Sequence, residues 1–284
     1  MSQCNTFVRG LTHGVDLRYV LADVTSAAQT AQTSHQLNNA AAKLCTEAMI
    51  ATSLLANQIK GEERLTVMLA SNFPRCTFMA DVNANGQLRA KLTPNKLLDS
   101  PVLIGQLQVI KHNSRKELYR GVTDINNQSI EDAIRHHLQQ SSQISNLIRI
   151  CCIQDDEGQI VRATGLLLEL LPPTKQIESL EVDAFEDKFS ALRDLPASKV
   201  VDMIDSGKLV GHDLFPLEKM DTTWTCTCSR ERVARMLTSL GPEELKDMIV
   251  TDGQAEVCCD FCNSKYHFDS AALEQILLQF ADPS

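Results

Sequence analysis

The sequence predicts an α+β protein with a mixed core domain, a helical linker and a small C-terminal zinc domain that holds a Cys4 site. Three observations predict this architecture. Strand-like segments come in pairs and do not alternate singly with helices. One long stretch without glycine or proline predicts a buried helix, and five of the ten cysteines fall in two tight clusters. The predicted domains are 1–173 (core), 174–221 (linker) and 222–284 (zinc domain).

The first half of the core domain contains strand signals around a helix. Residues 15–20 alternate apolar and polar side chains as a half-buried strand does. Residues 40–60 are rich in Ala and Leu and contain no Gly or Pro, which predicts a long, mostly buried helix. Segments 65–69 and 76–82 predict strands, and 83–86 predicts a turn into a further strand.

The next part of the core domain predicts a strand pair and a second helix. Residues 102–111 and 117–123 have strand composition. Residues 129–140 show helical periodicity after a start like a capping box, in which Ser129 is followed three residues later by Asp132.

The core domain ends in a predicted hairpin. Segments 144–153 and 160–171 are apolar and flank a short acidic stretch that contains Gly158. Pro172 and Pro173 then close the domain, because proline neither continues a strand nor fits inside a helix.

The linker pattern is acidic and helical. Residues spaced by three or four positions form one apolar helix face: Val182, Phe185, Phe189 and Leu192. Residues 200–204 form a second short face. A helix with so few apolar residues is stable only when this face packs against another part of the protein. We therefore expect the linker to be folded only while the elements beside it are folded.

Composition and charge exclude some classes of function. No apolar run approaches the roughly 18 residues that a membrane-spanning helix needs. The net charge is −9 and Lys and Arg form no cluster, which disfavours nucleic acid as the main partner. The first residues show no basic stretch followed by an apolar one, so we expect a reducing cytoplasm. Ten cysteines in that compartment favour metal binding or redox chemistry over a disulfide scaffold.

The cysteine spacing predicts a zinc site. Cys226 and Cys228 form a C-x-C pair, Cys259 and Cys262 form a C-x-x-C pair, and 30 residues separate the two pairs. Zinc takes four ligands in a tetrahedron, and two such pairs around a folded insert supply a closed structural site. We therefore expect one Zn²⁺ per chain in the reduced state.

Two interpretations of this site remain open from the residues alone. The simpler one is a structural staple for a segment with few large apolar residues, since structural zinc supplies about 10–16 kcal/mol of folding free energy. The other is a thiol redox switch, because metal-bound sulfurs are thiolates, the form that oxidants attack. Two sulfurs joined in a disulfide no longer bind the metal, but most zinc staples never use this property.

The cysteine pairs lie in longer motifs: Cys-Thr-Cys-Ser-Arg-Glu-Arg at 226–232, followed by Cys-Asp-Phe-Cys at 259–262 and Tyr-His-Phe at 266–268. These motifs closely resemble those of the thirty-three-kilodalton chaperonin family of redox-regulated heat-shock chaperones. Weaker matches to that family's core domain are Ala-Thr-Ser-Leu-Leu at 51–55, Tyr-Arg-Gly-Val at 119–122 and Gly-Leu-Leu-Leu at 165–168.

The resemblance implies an ATP-independent holdase that is inactive while reduced and zinc-bound. Oxidation would form the disulfides Cys226–Cys228 and Cys259–Cys262, zinc would leave, and the zinc domain and linker would unfold. Apolar surface would then bind unfolded client proteins, with the active form commonly a homodimer. Cys258 departs from the family pattern; as an extra thiol it exchanges as a ligand, competes in disulfide pairing, or does neither.

Several other residues that could bind a metal or take part in catalysis are interpreted as structural or solvated side chains. His267 follows Cys262 by five residues, but four sulfurs already complete a zinc site. His136 and His137 are expected on a solvated helix face, and Cys151–Cys152 in an apolar strand. Arg230, Glu231 and Arg232 are expected as solvated or ion-paired side chains that begin a helix.

No catalytic residue is predicted. The chain has no P-loop, dinucleotide fingerprint, G-x-S-x-G or H-E-x-x-H motif, and four thiolates would leave zinc no open position for water. The alternative to the holdase is a zinc-stapled module that binds protein or nucleic acid without redox activation.

Overall fold

The computed structural model describes residues 5–12, 17–100, 102–142, 146–171, 202, 206, 208–209 and 212–280. The chain forms two compact units, 1–225 and 226–284. The first unit combines helices with two mostly antiparallel sheets, and the predicted α+β class is confirmed.

The first unit is organised around helix α2, Asn39–Leu55, which was predicted at 40–60 and continues into a 3₁₀ turn, Ala56–Gln58. The Asn38 side chain begins this helix by accepting a hydrogen bond from the Ala41 N–H at 3.0 Å. Helix α1, Thr25–His35, packs beside it. Both helices contact strands of two different sheets, so the apolar core lies between the sheets with α2 nearly enclosed.

The first sheet has the strand order β10-β11-β1-β2-β9-β8. Its strands, in chain order, are β1 Thr6–Thr12, β2 Leu17–Asp23, β8 Asn146–Gln154, β9 Ile160–Leu170, β10 Lys208–Leu209 and β11 His212–Asp221. The β8–β9 hairpin was predicted, and the Asp155 side chain forms its turn by accepting the N–H groups of Glu157 and Gln159. Strand β1 and helix α1 were not predicted.

The second sheet has the strand order β12-β5-β4-β3-β6-β7. Its strands are β3 Arg64–Phe73, β4 Arg75–Asn83, β5 Gln87–Thr93, β6 Leu103–His112, β7 Glu117–Gln128 and β12 Thr223–Trp224. The predicted strands at 65–69, 76–82, 102–111 and 117–123 are all present. Gly86 closes the predicted turn with a φ of +72°, a conformation that glycine adopts without strain.

Helix α3, Ile130–Ser142, begins where it was predicted and packs on β7, β8 and α2. The Ser129 hydroxyl oxygen accepts the Asp132 N–H at 3.1 Å and its O–H donates to the Asp132 carboxylate at 2.8 Å. The prediction of a solvated face for His137 is wrong: the side chain is buried and hydrogen-bonded to the Thr123 hydroxyl at 3.0 Å. His137 is buried because it lies on the face of α3 that packs against β7, the strand that carries Thr123.

The predicted helical linker is corrected at its C-terminal end. Residues 212–221 form strand β11, which pairs antiparallel with β1 along its length. Pro216 lies at a register shift of this pairing, a position that tolerates a residue without an N–H. The predicted helix faces at 182–192 and 200–204 fall outside the described residues, apart from Asp202.

None of the helices among the described residues is long and apolar enough to span a bilayer.

Residues 226–280 of the second unit form three helices and one hairpin. These are α4 Arg230–Thr238, α5 Pro242–Thr251, β13 Gln254–Cys258, β14 Lys265–Asp269 and α6 Ser270–Leu278. The Asp269 side chain caps α6, the helix predicted at the end of the chain, by accepting the Ala272 N–H at 2.9 Å. Six apolar residues are buried in the described part of this unit: Val233, Leu237, Leu245, Phe268, Leu273 and Ile276.

Candidate metal centre

The first cysteine pair lies on the segment that leads into α4. Ser229, immediately after Cys228, begins the helix by accepting the Arg232 N–H at 3.3 Å. The backbone N–H of Cys228 donates to the sulfur of Cys226. The helix start therefore fixes the direction of the chain that carries both thiols.

The second cysteine pair lies in the turn between β13 and β14. The Cys259 N–H donates to the Ser264 carbonyl at 2.9 Å, and the Asn263 N–H donates to the Cys259 carbonyl at 2.8 Å. Asn263 takes a φ of +56°, which asparagine tolerates better than most residues. This tight turn directs the N–H groups of Phe261 and Cys262 toward the Cys259 sulfur.

The structure brings the four predicted cysteines together. The Sγ atoms of Cys226, Cys228, Cys259 and Cys262 all lie within 4.8 Å of one another. Cys226 and Cys259 are 3.6 Å apart, and Cys228 and Cys262 are 3.3 Å apart. In a tetrahedral site with zinc–sulfur distances of about 2.3 Å, neighbouring sulfurs are about 3.8 Å apart. The donor set and its spacing fit a metal ion, and the cluster can hold one.

Polar neighbours favour the thiolate form of one member of this cluster, Cys262, whereas burial raises the pKa of the other three thiols. Burial raises the pKa of Cys262, but hydrogen bonds from Ser264 and from the other thiols outweigh it and lower that pKa to about 7. The phenol O–H of Tyr266 donates to the Cys228 sulfur at 3.0 Å. This hydrogen bond raises the pKa of Tyr266 to about 12, so the phenol keeps the proton it donates. Sequence reasoning did not assign this role to Tyr266.

Cys258 lies outside the four-sulfur cluster. It is the last residue of β13, its side chain is exposed, and its sulfur is 3.9 Å from the Asn263 side-chain oxygen. Because side chains alternate along a strand, Cys258 and Val257 point to opposite faces of the hairpin.

The other sequence candidates in this unit also lie away from the cluster. His267 is exposed, and its carbonyl accepts a hydrogen bond from the Arg230 guanidinium at 2.6 Å. Arg230 stacks over the Phe268 ring, 4.2 Å from the centroid, and Arg232 donates to the Thr227 carbonyl at 2.7 Å. These arginines begin α4 as predicted and connect it to the hairpin and to the first cysteine pair.

The fold and the cluster define a class of protein: an α+β core followed by a small unit closed around four thiols that can hold a metal ion. The family model described as Hsp33 protein matches residues 5–269. The chain therefore belongs to the Hsp33 family, a family of chaperones. This confirms the resemblance drawn from the cysteine motifs.

Relatives and a solved structure agree with this assignment. A protein from Geobacillus kaustophilus named 33 kDa chaperonin is 29% identical over 287 residues, covering 95% of this chain and 96% of that protein. One of the same name from Bacillus pumilus is 30% identical, covering 95% and 97%. The crystal structure of a 33 kDa chaperonin from Thermotoga maritima shares the fold, with a TM-score of 0.83 at 21% identity, covering 98% of this chain and 99% of that one.

Proposed function

We propose that this protein is a redox-regulated, ATP-independent holdase that binds unfolding proteins under oxidative and heat stress. The observation that carries the proposal is the cluster of four sulfurs within 4.8 Å of one another in a unit with a small apolar core. Family membership supports the chaperone activity. A cytoplasmic location is part of the proposal, because the resting state needs reduced thiols.

Zinc is the metal we infer for the reduced state, one ion per chain, held by Cys226, Cys228, Cys259 and Cys262. Four thiolates in a tetrahedral arrangement suit zinc and leave no position for a reacting water. Bound zinc would supply about 10–16 kcal/mol to the folding of its unit. The six buried apolar residues of that unit form a core too small to be expected to hold the fold alone.

Oxidation is the proposed trigger. The family resemblance implies disulfides between Cys226 and Cys228 and between Cys259 and Cys262. Each disulfide forms as two thiolates give two electrons to a peroxide, which takes up two protons from the solvent and is reduced to two waters. Sulfurs joined in this way no longer bind a metal, so the C-terminal unit loses its main source of stability.

Loss of structure in the C-terminal unit is the proposed link to client binding. The apolar residues of its core and of the linker would become accessible to unfolded client proteins, and the active form would be a homodimer. No catalytic residue and no nucleic-acid or membrane partner belongs to this proposal. The net charge of −9 argues against a nucleic-acid-binding module.

The proposal is tested on one sample by two simultaneous measurements. Reduced protein should contain about one zinc and should not suppress the aggregation of a denatured client. Peroxide with mild heat should release zinc to a chromophoric chelator, and light scattering by the client should fall in parallel. Disulfide mapping by mass spectrometry should then identify the two pairs.

The alternative module makes the opposite prediction, because its partner binding would require zinc and would be lost on oxidation. Client protection that is the same before and after oxidation would contradict the redox switch. A variant with Cys228→Ser, which removes one of the four sulfurs, should protect the client without oxidation.

A further inference from the structure

Two arginines lie in the first turn of α4, where a positive charge does not stabilise a helix. Arg230 is the first residue of α4 and Arg232 is the third. The N-terminal end of a helix carries a partial positive charge, so acidic residues stabilise it and cations destabilise it. Glu231, between the two arginines, follows this rule and they do not. The stability of α4 therefore does not explain the arginines, and their contacts lie outside the helix.

Arg232 holds the residue between the cysteines of the first pair. Its Nη1 donates to the Thr227 carbonyl oxygen at 2.7 Å and to the Thr227 hydroxyl oxygen at 2.5 Å. Thr227 is bonded to Cys226 on one side and to Cys228 on the other. The backbone N–H of Arg232 also donates to the Ser229 hydroxyl, at 3.3 Å. These contacts fix the segment of chain from which both thiols project.

Arg230 connects this segment to the strand that follows the second cysteine pair. Its Nη1 donates to the His267 carbonyl oxygen at 2.6 Å, and its guanidinium carbon lies 4.2 Å from the centroid of the Phe268 ring. Phe268 is 2% exposed and belongs to the apolar core of the C-terminal unit. One exposed side chain therefore joins the start of α4 to two successive residues of β14.

Arg230 and Tyr266 attach the same two segments to each other at neighbouring points. Tyr266 precedes His267 in β14, and its phenol donates to the Cys228 sulfur at 3.0 Å. Cys228 lies two residues before Arg230. Strand β14 is thus joined to residues 228–230 once at the sulfur and once at the guanidinium. Two attachments restrict the orientation of the Cys228 side chain more than one would.

We propose that Arg230 and Arg232 are positioning residues of the metal centre. Arg232 sets the geometry of the first cysteine pair through Thr227. Arg230 holds that pair against β14 and so against the turn that carries the second pair. Groups that orient metal ligands contribute a factor of about 10–100 to metal affinity. The inference rests on the zinc binding proposed above and adds two side chains that act through other residues.

The test uses Arg230→Leu and Arg232→Leu in the reduced full-length protein, because leucine favours helices and its side chain donates no hydrogen bond. Zinc affinity, measured by competition with a chromophoric chelator, should fall about tenfold or more in each variant. Arg235→Leu is the matched control and should bind zinc as wild type does, since Arg235 is exposed in the last turn of the same helix. Arg232→Lys should recover most of the affinity, because one ammonium group can donate to both oxygens of Thr227.

Replacing zinc by cobalt(II) separates positioning from folding, because the visible absorption of cobalt reports the arrangement of its ligands. At saturating cobalt the absorption bands of Arg230→Leu and Arg232→Leu should be shifted, and Arg235→Leu should give the wild-type spectrum. Weaker affinity with an unchanged spectrum would assign the arginines to folding alone and overturn the proposal. Wild-type affinity in both leucine variants, or no recovery in Arg232→Lys, would also overturn it. A wild-type protein that binds no zinc would instead refute the proposed function.

Discussion

The coupling between metal binding and folding of the C-terminal unit can be measured with one core substitution, Leu273→Ala. Leu273 is fully buried among the six apolar residues of that unit. Replacing a buried leucine by alanine lowers the free energy of unfolding by about 2–5 kcal/mol. The loss of buried methyl groups and the cavity left behind both contribute. If the unit folds only when the metal is bound, this cost appears as weaker metal binding.

The expected effect is large. At 1.4 kcal/mol for each factor of ten, the zinc affinity of Leu273→Ala should fall by about 30-fold to several thousand-fold. The assay is competition between reduced full-length protein and a chromophoric chelator of known affinity. Leu107→Ala is the matched control, because Leu107 is equally buried in the core of the first unit.

Two results would refute this reasoning. If Leu273→Ala binds zinc as wild type does, the unit is folded without metal and losing the metal would not unfold it. If Leu107→Ala weakens binding equally, zinc binding depends on the whole chain and not on the fold of residues 226–284.

Three further predictions concern single side chains. Tyr266→Phe removes the hydrogen bond to the Cys228 sulfur and should weaken zinc binding about 10–100-fold in chelator competition. Cys258→Ser should leave one zinc per chain and the oxidised disulfide pairs unchanged in metal analysis and mass mapping, because this thiol lies outside the cluster. Burial raises the pKa of Glu47 from 4.5 to about 7. The native carboxyl therefore keeps a proton that the unfolded chain has lost, and its contribution to stability declines as pH rises between these values. Glu47→Gln should raise Tm relative to wild type more at about pH 8 than at about pH 5.

Each of these predictions has an outcome that contradicts it. An unchanged affinity in Tyr266→Phe would mean that the phenol does not support the thiolate. A changed disulfide map in Cys258→Ser would show that this thiol takes part in pairing. A Tm difference between Glu47→Gln and wild type that does not vary with pH would show that Glu47 has the same pKa in the native and the unfolded protein.

Local patterns in the sequence were enough to predict most of the core. The helix at 39–55 and the hairpin β8–β9 are encoded by residues close in sequence, through composition, caps and turn chemistry. Strand β11 was placed in a helical linker because its partner β1 lies about two hundred residues earlier, and its own residues carry charges and a proline. Pairing at that distance leaves no local signal.

The four cysteines of the candidate site were predictable from the sequence, but their surroundings were not. Cysteines at C-x-C and C-x-x-C spacing are typical of a metal site. Tyr266 takes part because the β13–β14 register places it opposite Val257, close to the turn that carries Cys259 and Cys262. His137 was misjudged because burial of a helix face depends on which strand packs against it, here β7.

The order of strands in the first sheet has a consequence for limited proteolysis. Strands β9 and β11 border the chain between residues 170 and 212, and they belong to the same sheet with β2 and β1 between them. With neighbouring strands about 4.8 Å apart, the two anchor points are about 14 Å apart across the sheet. A protease that cuts between them would produce two pieces that remain joined through the β1–β11 ladder. The nicked molecule should elute as an intact particle on gel filtration and separate into two fragments only in denaturant.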